Sequence, residues 1–69
     1  MEIAAEMVAN VIAIEVAIGD TVEAGDTVIM LESMKMEIPV LVEEPGRVSQ
    51  VKVAVGDVVQ EGDVLVVID

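Results

Sequence analysis

The feature that most constrains this chain is an internal repeat. Displaced by 37 residues, Val11, Val16, Ala17, Gly19, Asp20, Val22, Gly25 and Asp26 fall on Val48, Val53, Ala54, Gly56, Asp57, Val59, Gly62 and Asp63. Ile14 with Val51 and Leu31 with Ile68 extend the match conservatively. The copies run over about 8–32 and 45–69. Neither is large enough to bury an apolar face alone, so the two must pack against each other. The expected result is an all-β fold: two small antiparallel sheets related by a pseudo-twofold, a flattened barrel or sandwich.

Local patterns agree. Ile12, Ile14, Val16 and Ile18 alternate with Ala13, Glu15 and Ala17, and Val51, Val53 and Val55 alternate with Gln50, Lys52 and Ala54. A period of two predicts strands with one buried face. Gly-Asp pairs at 19–20, 25–26, 56–57 and 62–63 predict turns, with Val22 and Val59 as apolar anchors between them. Ile3 to Val8, Thr27 to Leu31, Glu37 to Val42 and Val64 to Ile68 read as further strands. Pro39 lacks an N–H and is expected at an edge or bulge. Turns are expected at Ala9-Asn10, where Asn tolerates positive φ, and at Glu43 to Gly46. No stretch holds a helical period over three turns.

The core must be aliphatic, because 55% of the residues are hydrophobic and none is Phe, Tyr or Trp. Sixty-nine residues predict one domain, 1–69. With no Cys there is no disulfide or thiolate metal site, and with no His the commonest general base and metal ligand is missing. No metal site is expected: the Gly-Asp pairs lack calcium-loop spacing. Fourteen acids against three cations give a formal charge of −11. Such a surface repels phosphate backbones, which argues against nucleic-acid binding. Apolar runs break within about eight residues, short of the ~20 that a membrane-spanning helix needs, and the amino terminus lacks a signal-peptide pattern. A soluble, cytoplasmic, monomeric protein is expected.

Between the copies lies Glu32-Ser33-Met34-Lys35-Met36-Glu37. The first copy ends at Glu32, whose mate is Asp69, so Ser33 to Met36 continue past the point where the second copy stops. In a twofold arrangement this connector sits at one end of the molecule, away from the termini, where a hairpin presents Lys35 to other proteins. Taken alone, Lys35 reads more readily as a charge that guards a strand edge, and methionines usually fill gaps in cores.

The stretch Leu31 to Glu37, with Met-Lys-Met at its centre, resembles the biotin-attachment motif. The four Gly-Asp pairs fall where biotinyl and lipoyl domains carry turn glycines. The resemblance spans about Glu6 to Asp69 and is closest to single-domain biotin/lipoyl attachment proteins. It implies a flattened β-barrel of two antiparallel four-stranded sheets and a non-catalytic carrier. Lys35 would take covalent biotin from a biotin protein ligase, with Met34 and Met36 helping the ligase to recognise the hairpin. Biotin would carry carboxyl from a biotin carboxylase to a carboxyltransferase. Ala9 departs from the family, which often has Gly there, as the second copy does at Gly46. No thumb segment is inserted between the strands, unlike some acetyl-CoA carboxylase carriers.

An ordinary lysine amine, with a pKa of about 10.4, is unprotonated in only about one molecule in 2,500 at neutral pH. The sequence offers no base to activate it, and Ser33 has no base partner either. Lys35 therefore reads as a substrate rather than a catalyst. The alternatives are a lipoyl carrier, which usually has an acidic residue before the lysine, and an unmodified interaction module that docks through Met34 and Met36.

Overall fold

A computed structural model describes all residues, 1–69. Eight strands follow in order: β1 (Glu2–Ala4), β2 (Ala9–Ile14), β3 (Thr21–Val22), β4 (Thr27–Ser33), β5 (Met36–Leu41), β6 (Gly46–Val51), β7 (Val58–Val59) and β8 (Val64–Ile68). They form two four-stranded antiparallel sheets, ordered β1-β8-β6-β3 and β5-β4-β2-β7. The 37-residue offset carries each sheet onto the other, strand for strand. The copies are not separate layers, because each lends a two-residue strand to its mate: β3 pairs with β6, and β7 with β2.

The same symmetry organises the core. Thirteen residues are buried and none is polar. Twelve form offset pairs: Ala5/Val42, Val11/Val48, Val22/Val59, Val28/Leu65, Ile29/Val66 and Leu31/Ile68. The thirteenth, Ala9, has Gly46 as its mate. Small β-branched side chains suit this pleated, two-sided interior.

The four Gly-Asp pairs hold the halves together. Each closes a four-residue turn in which the Asp N–H donates to a carbonyl three residues back, at 3.0–3.1 Å. The Asp carboxylate also accepts that residue's N–H, at 2.9 Å in all four. Each glycine has a positive φ between 93° and 98°, the requirement of a type II turn at its third position. Each pair then bonds a buried residue of the other half. The glycine N–H groups donate to the carbonyls of Val48, Val42, Val11 and Ala5, and the aspartate carbonyls accept from the same four residues.

Several local expectations are corrected. The first strand stops at Ala4, and the chain bends at Glu6-Met7 rather than at Ala9-Asn10, which lie inside β2. Asn10 is paired with both Glu32 and Val58 and so has no turn to make. A register shift between Val11 and Ala13 breaks the alternation. Val11 is fully buried, whereas Ile18 and its mate Val55 lie beyond the ends of β2 and β6, exposed at turn tips. Lys52 lies just beyond β6 rather than mid-strand, though still in solvent. Pro39 does fall on an edge strand, β5, opposite Met30. The structure contains no helix long and apolar enough to cross a membrane.

Candidate functional site

The Lys35 hairpin grows out of the best-anchored ladder in the molecule. β4 is the longest strand, and Val28, Ile29 and Leu31 fix it in the core. β5 pairs with it at six positions, ending with Leu31↔Ile38, Glu32↔Glu37 and Ser33↔Met36. That register leaves two residues, Met34 and Lys35, to reverse the chain. Their φ angles are 53° and 66°. Positive φ at both central residues defines the type I′ turn, whose twist matches that of a hairpin and which normally uses Asn-Gly. Here neither residue is glycine. Each left-handed residue with a Cβ costs about 1–2 kcal/mol, so the ladder below must impose the shape.

The turn turns its side chains outward. Met34 is 92% exposed, Met36 is 66% exposed, and Lys35 is also in solvent. That rules out core filling for the two methionines. Lys35 occupies a turn apex, which is not the place of a strand-edge guard. Glu32 and Glu37 face each other across the ladder, a like-charge pair that opposes the hairpin slightly.

The hairpin lies at the opposite end from the termini. Asp69 bonds Arg47, Arg47 pairs with Thr21, and Gly25 bonds Val42 beside the start of β4. The chain ends therefore gather near Thr27, and the turn follows Ser33. The six steps between them span ~20 Å at ~3.3 Å per residue, in a molecule whose long dimension is 30 Å.

Chemically, the hairpin offers one accessible amine and nothing to activate it. Neither surface hollow of the molecule is lined by residues 33–37. A group joined to Lys35 would project into solvent, reachable by a second protein, with no recess of this chain built to hold it. That suits an acyl group attached through an amide, and an amine is the only attachment point the apex provides.

The departure at Ala9 has a spatial account. A Cβ on Gly46 would lie 2.5 Å from the Asp69 carbonyl oxygen and 2.5 Å from Ile68 Cγ2. Its mate Ala9 is buried opposite Val59, and the first copy has Leu31, with no methyl on its Cβ, where the second has Ile68. Glycine is needed in one copy and not in the other.

Comparison with known proteins is consistent with this geometry. The profile of a family described as "Biotin-requiring enzyme" matches residues 2–68. The biotinylated protein TB7.3 homolog of Mycobacterium leprae is 52% identical over 49 residues, 71% of this chain and 69% of that protein. The biotin/lipoyl attachment protein of Bacillus subtilis is 46% identical over 50 residues, 72% and 68% of the two chains. The urea carboxylase of Kluyveromyces lactis superposes with a TM-score of 0.94 and 36% identity, over 100% of this chain but only 6% of that enzyme. With nearly every residue matched by the family profile and the same two-sheet shape in a solved carboxylase, the chain belongs to the biotin/lipoyl attachment family.

Proposed function

We propose that residues 1–69 form one carrier domain for biotin, attached to Lys35, and that it serves as the carboxyl carrier of a biotin-dependent carboxylase. The observation that carries this reading is the apex position of Lys35, held in a left-handed turn between two exposed methionines.

Lys35 supplies the attacking Nζ, and a biotin protein ligase supplies the activated acyl group. The amide bond forms between Nζ and the biotin carbonyl carbon. The bond from that carbon to the adenylate oxygen breaks, and AMP leaves. The amine's protons pass to the ligase or to water, since this chain holds no base beside the apex. Met34 and Met36 flank the amine and give the ligase an apolar, adaptable grip on the turn. When attached, biotin supplies a ureido nitrogen that a biotin carboxylase loads and a carboxyltransferase unloads. The chain's own contribution is tethering, which holds the carried group at an effective concentration of order mM at a docked enzyme. Acylation removes one cation, shifting the formal charge from −11 to −12.

Incubation with biotin protein ligase, ATP and biotin, followed by peptide mapping, tests the reading. One biotinyl group on the peptide containing Lys35, absent from Lys35→Arg, is expected. Label on Lys52, or no label, sinks it. Intact mass of the protein from its host separates biotin from a lipoyl group.

A further inference from the structure

The pseudo-twofold provides an internal reference for the hairpin end. Residues related by the 37-residue offset share a backbone environment but lie at opposite ends, one near Lys35 and one near the termini. Where exposed mates differ, most of the differences run one way. Val58 replaces Thr21, Lys52 replaces Glu15, Gln60 replaces Glu23, Met7 replaces Glu44, and Val8 replaces Pro45. Glu61 for Ala24, Asn10 for Arg47, Ala4 for Leu41 and Val55 for Ile18 run against the trend.

These residues lie at the same end of the molecule as the Lys35 turn. Val58, 65% exposed, pairs with Asn10, which pairs with Glu32, two residues before Met34. Two strand spacings, about 10 Å, separate Val58 from β4. Val8, 61% exposed, directly precedes β2 at that same end. The Lys52 N–H bonds the Leu65 carbonyl where β8 begins, beside the turn that holds Ala5. At the termini end, Glu15 and Thr21 line one hollow with Asp20, Asp26 and Thr27. At the Lys35 end the equivalent positions carry Lys52 and Val58 in place of Glu15 and Thr21.

An enzyme that works on the Lys35 amine must cover this end. Even a small transient interface takes roughly 600 Å² from each partner, more than a tenth of the chain's 4283 Å² surface. A two-residue turn does not supply that area. We infer that the docking face for the biotin-attaching ligase extends beyond the hairpin over Met7, Val8, Lys52 and Val58. The ligase then presents an apolar rim with a carboxylate opposite Lys52. This rests on the carrier reading above.

The symmetry also supplies the test. The variant Met7→Glu/Lys52→Glu/Val58→Thr imports residues that the same fold already holds at the other end. The mirror variant Glu15→Lys/Thr21→Val/Glu44→Met is the control. With thermal melts confirming folding, kcat/KM for biotinylation is expected to fall about tenfold or more in the first and to stay within about twofold in the control. A first variant that is biotinylated at the wild-type rate overturns the inference, as does an equal loss in both. So does a variant biotinylated normally but no longer carboxylated by a biotin carboxylase, which would assign the face to that enzyme. A wild-type dimer in sedimentation that the first variant dissolves would assign it to a second copy. Failure of the wild-type chain to take biotin at all would instead strike the carrier reading.

Discussion

Two kinds of turn hold this molecule together, and they use left-handed backbone in opposite ways. The four Gly-Asp turns place positive φ on glycine, with no atom within 4 Å of where a Cβ would sit. The fifth turn places positive φ on Met34 and Lys35, both with full side chains. The first kind reverses the chain at little steric expense and joins the two halves. The second retains strain and presents side chains that glycine could not. Stability dominates at one set of bends and display at the other.

The sharpest way to break this comparison is to put alanine at all four turn glycines. Open space at each leaves only backbone strain, about 1–2 kcal/mol per site, and well-separated sites add. The sum rivals the ~3–10 kcal/mol stability of a 69-residue domain, so loss of the thermal transition is expected. A quadruple variant that still melts cooperatively near the wild-type temperature contradicts the assignment.

The converse substitution, Met34→Asn with Lys35→Gly, installs the residues a type I′ turn favours. It is expected to gain about 1–3 kcal/mol, raising Tm by several degrees in a domain this small, while abolishing biotin attachment. An unchanged Tm means the apex is not strained. A smaller effect follows from Asp57→Ala, which removes one carboxylate-to-backbone bond and is expected to cost about 0.5–1.5 kcal/mol in urea unfolding. Smallest is Glu37→Lys, which turns the Glu32↔Glu37 repulsion into attraction and is worth about 0.2–1 kcal/mol at low salt. Added salt should erase that gain and leave the other three effects standing.

Much of this was legible in the chain itself. The offset between Val11 and Val48, and between Leu31 and Ile68, anticipated which residues share the core, because a repeat that cannot stand alone must bury the same positions twice. The Gly-Asp pairs marked their turns because only glycine takes positive φ freely. Ala9-Asn10 misled, since asparagine's tolerance of positive φ is a permission and not an instruction. Ile18 and Val55 misled because β2 and β6 end at Ile14 and Val51, and the Gly-Asp turns that follow carry both side chains into solvent.

The sequence determined the strand content, the aliphatic core and the lysine between two copies, since these follow from residue types and spacing along one chain. Only the tertiary structure decided that the halves exchange strands β3 and β7, that Gly46 needs glycine where Ala9 does not, and that Lys35 rides a left-handed apex. Those outcomes depend on distances between residues far apart in the chain, which no local pattern records.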